Sequence, residues 1–238
     1  MATVRLVLLL VALVAAGSSC AAQNAVSCDS WRLAVETRNM RDWQTVPADC
    51  EDYVRNYMLG GQYRRDSAVV VDQAVAYAQG LRLAGNGKEV WVFDIDETSL
   101  SNLPYYATQG FGTRTYNGTS FNAYVLESSA PVLPETQRLF NALISLGIKQ
   151  VFVSTRAETL RAITMANLRR QGYSGWMDLR LKPVGYTGNA IVYKSGERKK
   201  LQDAGYVIVG NIGSQWSDIL GAPEGARTFK LPNPLYYH

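Results

Sequence analysis

Histidine is nearly absent from this chain of 238 residues, whose single histidine, His238, is also the last residue. Ser-His-Asp and Cys-His catalysis, histidine-nucleophile phosphatases and histidine-rich metal sites are therefore disfavoured. The chain has no run of five like charges, and its formal net charge is only +4, so it lacks the basic stripe typical of nucleic-acid-binding proteins. Catalysis is left to carboxylates, lysine, hydroxyl groups and a hard metal ion.

Apolar runs long enough to span a bilayer, which takes about 20 residues, are also missing from the sequence. The longest run, residues 6–16, follows Arg5 and leads into the small residues 15–22. This order is typical of a secretory signal peptide. We predict a signal peptide over residues 1–22. The mature chain would then have no membrane segment and would be delivered through the secretory pathway to the extracellular space or the vacuole.

Cysteine is scarce, with three residues in the whole chain. Cys20 belongs to the predicted signal peptide, so Cys28 and Cys50 remain as a pair in an oxidising compartment. We predict a disulfide between them, which by the chain-entropy model would stabilise the fold by roughly 3 kcal/mol. Two buried free thiols are the alternative.

One N-glycosylation sequon occurs, Asn117-Gly118-Thr119. It lies in a polar stretch with a glycine, where exposure is expected. We therefore predict that Asn117 is a glycosylation site.

The balance of 47% apolar and 18% charged residues allows a sizeable core. Residues 28–80 predict mainly helices, one of them capped by Asp66 and ended by Gly80. Beyond residue 89, short apolar runs alternate with helical patterns, which predicts a parallel sheet in an α/β fold. The predicted strands are residues 90–93, 151–153, 177–181, 206–209 and 226–231, and the predicted helices are residues 134–146, 158–171 and 194–204.

Residues 102–131 interrupt this alternation. They have no clear periodicity and are rich in tyrosine, glycine, asparagine, threonine and serine. A long irregular stretch inside a compact domain is usually functional. We predict an irregular lid or cap here that contributes to substrate specificity.

Three acidic residues, Asp94, Asp96 and Glu97, follow the apolar strand of residues 90–93 directly. Ligands of open α/β sheets bind beyond the carboxyl ends of the strands, so these acids stand where a site is expected. Asp94 and Asp96 are two positions apart, which aims both side chains the same way in an extended segment. Two such close carboxylates repel unless a cation neutralises them or one holds a proton. This suits a nucleophilic aspartate beside an acid/base aspartate with Mg²⁺.

The segment 94–98 resembles motif I, Asp-x-Asp-x-Thr, of the haloacid dehalogenase superfamily. Four further segments resemble the plant acid phosphatase and vegetative storage protein family, which is similar to class B acid phosphatases: residues 28–36, 101–106, 193–195 and 215–218. The resemblance implies a Rossmann-like parallel sheet with a helical N-terminal segment and a small cap insertion. It places one phosphatase domain over residues 23–238.

The resemblance also implies roles for individual residues. Asp94 would attack phosphorus and become a phosphoaspartate, while Asp96 would act as general acid and then general base. Thr98 would brace the loop, Ser154 would hydrogen-bond the phosphoryl group, and Lys194 would offset its charge.

Magnesium is the cofactor that the resemblance implies, held by Asp94, Asp96 and Asp218. The family pattern Gly-Asp-x-x-x-Asp is broken here, because Ser214 stands in place of the first acid. A hydroxyl is a weaker Mg²⁺ ligand than a carboxylate, so we expect reduced affinity rather than complete loss.

The leading hypothesis is a secreted acid phosphatase that hydrolyses small phosphomonoesters. The alternative is a vegetative storage protein with weak or no activity, which the Ser214 replacement favours. A carbohydrate- or nucleic-acid-binding module would rest only on the tyrosines of residues 105–124 and the mild basicity. We expect neither nucleic acid nor membrane as a partner of the mature chain. Family members often pair, so a homodimer is an open expectation.

Overall fold

A computed structural model describes residues 26–237 of the chain. The predicted signal peptide lies outside the described residues and stays a prediction. Within residues 26–237, no helix has both the length and the apolar character needed to cross a membrane.

A five-stranded sheet forms the centre of the molecule, with all neighbouring strands parallel. Its strands are β1 (Glu89–Phe93), β2 (Lys149–Ala157), β3 (Asp178–Lys182), β4 (Val207–Gly213) and β5 (Thr228–Lys230). Their order in the sheet is β3-β2-β1-β4-β5, so the direction of winding reverses at the central strand β1. This is the topological switch point at which α/β proteins bind ligands. The predicted α/β class is confirmed.

The α-helices of the described chain are α1 (Cys28–Glu36), α2 (Glu51–Leu59), α3 (Gln62–Gln79), α4 (Leu103–Thr108), α5 (Gly118–Leu126), α6 (Pro134–Ser145), α7 (Arg161–Arg170), α8 (Ala190–Asp203) and α9 (Trp216–Ile219). Helices cover both faces of the sheet, which is why β1 is buried at every position. Residues 28–80 are mainly helical, as predicted.

Alternation along β1 divides the core into two layers. Trp91 and Phe93 point to a large aromatic face, where Phe229 stacks on Trp91 and Phe152 packs near Phe93. Val90 and the other strand residues of the opposite face pack with Tyr193 and Leu201 of α8 in a smaller, mainly aliphatic cluster. Most of the buried aromatic rings therefore lie on one side of the sheet.

Gly210 makes room for the large ring at the centre of the sheet. A Cβ at this position would lie 2.3 Å from the indole of Trp91. Because Trp91 is fully buried, its ring cannot move aside, and no residue larger than glycine fits.

Asp66 does not cap a helix, so that prediction was wrong. Helix α3 begins four residues earlier, after Gly61, whose positive φ of 86° suits glycine. The carboxylate of Asp66 instead accepts hydrogen bonds from Arg32 and Tyr57, at 2.9 and 2.8 Å. Local sequence could not reveal this, because Arg32 lies 34 positions away.

The predicted irregular conformation of residues 102–131 was also wrong, since α4 and α5 lie within this segment. Both helices are short, with six and nine residues, so no helical periodicity shows in the sequence. The side-chain oxygen of Asn117 caps α5 by accepting from the N–H groups of Thr119 and Ser120, at 3.0 and 3.1 Å. Asn117 is exposed. Its glycosylation and the cap role of the segment stay predictions.

Cys28 and Cys50 form the predicted disulfide, with 5.5 Å between their Cα atoms. The bond joins α1 to the start of α2, so the N-terminal helices are linked covalently. The prediction of a disulfide rather than two free thiols is confirmed.

Arg198 of α8 is fully buried and anchors the loop that follows α9. Its guanidinium donates to four main-chain carbonyls at 2.5 to 2.8 Å, those of Asp218, Leu220, Gly221 and Pro223. Burial lowers the pKa of Arg198 to about 10, so the group stays charged at neutral pH.

We expect Arg198→Lys to lower the free energy of unfolding by about 2–4 kcal/mol, because an ammonium group cannot match four carbonyls with the geometry of a guanidinium. Urea denaturation at pH 6 measures this. The exposed neighbour provides a control: Lys199→Arg should change the free energy of unfolding by less than about 0.5 kcal/mol. Equal effects of the two substitutions would show that the four-carbonyl anchor contributes nothing.

Candidate functional site

The candidate site lies at the carboxyl end of β1, at the switch point of the sheet. The main-chain N–H of Asp94 donates to Ile212 of β4 at 3.0 Å, so the backbone of Asp94 continues the sheet pairing. Lys194 reaches this place from α8 and Asp218 from α9. Three distant parts of the chain therefore meet at one edge of the sheet.

The ammonium of Lys194 lies between two carboxylates. Its Nζ atom is 2.6 Å from Oδ1 of Asp94 and 2.5 Å from Oδ1 of Asp218, and all three side chains are buried. Burial opposes the charge of Lys194, but the two carboxylates outweigh it and raise its pKa. One ammonium is shared by two carboxylates, so burial and the charge of Asp218 still raise the pKa of Asp94. Because one ammonium faces two carboxylates, the cluster attracts a further cation.

Hydrogen bonds fix the orientation of both carboxylates. Thr98 donates through Oγ1 to Oδ2 of Asp94 at 3.0 Å. Oδ2 of Asp218 accepts from the main-chain N–H groups of Ser214 and Gln215, at 2.9 and 2.7 Å. Neutral donors therefore hold one oxygen of each acid, one donor at Asp94 and two at Asp218, and Lys194 holds the other oxygen.

Asp96 has a cationic partner of its own. Arg156 donates to both oxygens of its carboxylate, from Nε at 3.1 Å and from Nη2 at 2.8 Å. Asn102 donates to Asp96 Oδ1 at 3.0 Å, and the Ser154 hydroxyl lies 3.4 Å from Oδ2. Burial opposes the charge on Asp96, but Arg156 outweighs burial and lowers the pKa of Asp96.

Glu97 braces the loop that carries Asp96. Its φ of 54° is in the left-handed region, which is strained for a glutamate. The fully buried carboxylate accepts hydrogen bonds from Tyr63 at 3.0 Å, Ser101 at 3.1 Å and the N–H of Asn102 at 2.8 Å. Burial raises the pKa of Glu97 to about 7. These three bonds tie the loop to α3 and to the start of α4.

The main-chain carbonyl of Asp96 also faces the site. It accepts hydrogen bonds from the hydroxyl of Ser214 at 3.2 Å and the hydroxyl of Tyr236 at 3.1 Å. Asn233 donates in turn to Ser214 at 3.2 Å. The serine that stands in place of the expected acid therefore lies next to Asp96.

The oxygen donors at this place suit a hard cation. Within residues 26–237, no cluster of three or more His, Cys, Asp or Glu side chains is arranged to hold a metal ion. The donors present are the Asp94 and Asp218 carboxylates, the Asp96 carbonyl and the Ser214 hydroxyl. Mg²⁺ prefers oxygen ligands and usually keeps several waters with one or two carboxylates. These oxygen atoms fit such an ion, although they carry one negative charge fewer than they would with an acid at position 214.

All predicted catalytic residues lie within this site, which sequence reasoning had assembled only in part. Arg156 and Asn102, which hold Asp96, were not predicted as functional. Arg156 lies two positions after Ser154 near the end of β2. Residues two apart on a strand point to the same face, and this spacing could have indicated that Arg156 lies near the site. Tyr236 had no such signal, because it enters the site from a segment 140 positions beyond Asp96.

The family model described as HAD superfamily, subfamily IIIB (acid phosphatase), matches residues 16–238. The chain belongs to this acid phosphatase family. The membership predicted from the motifs is confirmed, and phosphatases of this superfamily generally use a divalent metal ion.

Some proteins similar to this chain are named as acid phosphatases, and others are named as storage proteins. The Stem 28 kDa glycoprotein of Glycine max is 47% identical over 215 residues, which are 89% of this chain and 84% of the relative. Acid phosphatase 1 of Solanum lycopersicum is 40% identical, with the same coverage of 89% and 84%. Vegetative storage protein 2 of Arabidopsis thaliana is 45% identical over 90% of this chain and 81% of its own length.

A solved structure supports the fold. The class C acid phosphatase from Bacillus anthracis superposes with a TM-score of 0.66 at 20% sequence identity, covering 80% of this chain and 86% of the other. At this identity the likeness shows the fold alone.

We expect Arg156→Gln to lower the free energy of unfolding by about 2–3 kcal/mol at pH 6, because it leaves the partly buried carboxylate of Asp96 without its charged partner. The pKa of Asp96 is lowered from its ordinary 3.8, so the ion pair stabilises the fold above pH 4 and is lost as pH falls through the folded-state pKa. The loss on substitution should therefore be smaller at pH 3. Urea denaturation at both pH values measures it.

The double variant with Asp96→Asn is the control for this ion pair. Once Asp96 is neutral, Arg156→Gln should cost much less at pH 6. A cost that is the same with aspartate and asparagine at position 96 would contradict the pairing.

Proposed function

We propose that this protein hydrolyses small phosphomonoesters through a phosphoaspartate on Asp94. The observation that carries the proposal is the pair of differently held aspartates at the switch point. Asp94 is oriented by Thr98 and Lys194, whereas Asp96, two positions on, is held by Arg156. Two carboxylates in different surroundings can serve as nucleophile and as acid/base.

The reaction would proceed in two balanced steps. A carboxylate oxygen of Asp94 forms a bond to phosphorus while the bond from phosphorus to the alcohol oxygen breaks, and Asp96 donates a proton to that oxygen. Water then attacks phosphorus while Asp96 takes its proton, the bond from phosphorus to the Asp94 oxygen breaks, and inorganic phosphate leaves with the Asp94 carboxylate restored. A bound phosphoryl group brings negative charge close to Asp96, which raises its pKa toward the protonated form that the first step needs.

Lys194 and Ser154 would bind the phosphoryl group. Lys194 already lies within 2.6 Å of the nucleophile, so its ammonium can offset the charge of the transferring group. Ser154 is fully buried in the second half of β2, beside Asp96, and its hydroxyl can donate to a phosphoryl oxygen.

Magnesium is the cation that we propose for the Asp94 and Asp218 carboxylates and the carbonyl of Asp96. When bound, Mg²⁺ would offset negative charge on the transferring phosphoryl group. Ser214 contributes a neutral hydroxyl where a carboxylate would add charge, so we propose weak binding.

The second candidate is a vegetative storage protein with little or no phosphatase activity. Ser214 is the observation that favours it, because the hydroxyl lowers the negative charge available to a cation. Relatives named as storage proteins share about as much sequence with this chain as relatives named for phosphatase activity.

A secretory destination, extracellular or vacuolar, is part of the proposal. The Cys28–Cys50 disulfide forms in oxidising compartments, and the exposed Asn117 sequon suits a glycoprotein. Both features agree with the predicted signal peptide.

The nucleophile can be tested by Asp94→Asn. We expect turnover of 4-nitrophenyl phosphate at mildly acidic pH to fall by about a thousandfold or more, because an amide oxygen is a poor nucleophile. Far-UV circular dichroism should stay unchanged. The exposed Asp72 provides a control, since Asp72→Asn should keep full activity. A folded Asp94→Asn protein with normal turnover would eliminate the phosphoaspartate mechanism.

The metal site can be tested by Ser214→Asp. An added carboxylate should lower the Mg²⁺ concentration for half-maximal activity by about tenfold or more, as one charge-assisted contact predicts. Electron paramagnetic resonance of bound Mn²⁺ should show the same change without turnover. Ser145→Asp, on the exposed end of α6, is the matched control and should change neither.

Two results would decide against weak Mg²⁺ binding at Ser214. If the wild type saturates at micromolar Mg²⁺ and the substitution changes nothing, Ser214 is not at the metal site. If the wild type is inactive at any Mg²⁺ concentration and Ser214→Asp creates activity, the storage function is correct.

A further inference from the structure

A cavity of about 440 Å³ opens beside Asp96 and Arg156. Its size is in the usual range for sites that bind small organic ligands, and it exceeds the need of a phosphoryl group alone. The remaining space is available to the alcohol portion of a phosphomonoester. Its lining therefore indicates which alcohols fit.

One wall of the cavity is aromatic. Tyr106 and Tyr236 stack with 5.1 Å between ring centroids and 16° between ring planes, and Tyr116 and Phe121 are 5.7 Å apart. Flat apolar surfaces of this kind favour a planar group on the ligand.

The ionic groups of the lining do not balance. Among the described residues that line the cavity, Asp96 is the one acid, while Arg156 and Lys182 are the cations. Arg156 is neutralised by its paired hydrogen bonds to Asp96. The cavity is left with the single positive charge of Lys182.

Lys182 is placed so that none of the described acidic residues pairs with it. It lies at the carboxyl end of β3, in register with Ala157, the residue after Arg156. Two positions earlier on the same strand, Arg180 pairs with Asp178 and Glu197, and within residues 26–237 Lys182 takes part in no ion pair. A half-buried ammonium beside an aromatic wall attracts an anionic group more strongly than one in open water.

We propose that Lys182 is a specificity residue that recognises a second anionic group, on the alcohol portion of the substrate. The protein would then prefer phosphomonoesters of planar alcohols that carry a negative charge. This inference rests on the proposed function for the placement of the phosphoryl group near Asp94 and Asp96.

Two matched ligands test the inference without turnover: 4-carboxybenzylphosphonate and its neutral amide, 4-carbamoylbenzylphosphonate. Isothermal titration calorimetry at pH 6 should show that the wild type binds the carboxylate about fivefold more tightly than the amide, a preference that falls as salt is added. In Lys182→Met and Lys182→Gln the ratio should fall to about one, and in Lys182→Glu the amide should bind more tightly.

The control is Lys88→Met, which removes the same charge at the opposite end of the sheet, before β1. It should keep the wild-type ratio. A wild-type ratio of one, or an unchanged ratio in the Lys182 variants, would overturn the inference. Release of 4-nitrophenol from 4-nitrophenyl phosphate separates this from the proposed function: turnover with a ratio of one removes only the role of Lys182, and an intact ratio without turnover removes only catalysis.

Discussion

The Lys194 ammonium lies between the buried carboxylates of Asp94 and Asp218, and the rest of the site depends on this contact. Without it, two acids at a buried strand end would repel each other and would lose hydration without compensation. The end of β1, helix α8 and helix α9 must all come together to form it. A parallel sheet makes this possible, because the carboxyl ends of its strands meet at one edge. The charges of the site are therefore balanced only when the strand order brings β1, α8 and α9 to the same edge of the sheet.

The sheet was predictable because its strands are marked locally. Short runs such as residues 151–153 are apolar at every position, as strands buried on both faces require. The start of α3 and the helices within residues 102–131 were not predictable in the same way. Aspartate is a common helix cap, yet the carboxylate of Asp66 accepts hydrogen bonds from Arg32 of α1 and Tyr57 of α2, as well as from Gln62 of its own helix. Helices α4 and α5 are too short to show a helical repeat, and their tyrosines are buried by contacts with one another.

The candidate site was predictable where motifs follow strand ends. Asp94 and Ser154 lie on neighbouring strands whose carboxyl ends meet at the same edge, whereas Lys194 comes from α8 and was predicted from the family resemblance alone. Side chains that hold those residues were harder to find. Arg156 pairs with an acid 60 positions away, and Tyr236 comes from the C-terminal segment, so their roles depend on contacts that have no local pattern. Ser214 was singled out by its departure from the family pattern, but its hydrogen bond to the Asp96 carbonyl is seen only in the structure.

An aspartyl phosphate on Asp94 is the species that distinguishes an enzyme from a storage protein on this fold. The most direct measurement is acid quenching of the wild-type protein during turnover of 4-nitrophenyl phosphate, reduction with borohydride, and peptide mass spectrometry. Reduction converts an aspartyl phosphate to homoserine, which we expect at position 94, in an amount equal to the initial burst of 4-nitrophenol. A burst of 4-nitrophenol with Asp94 unmodified, or with the modification at another residue, would contradict the proposed mechanism.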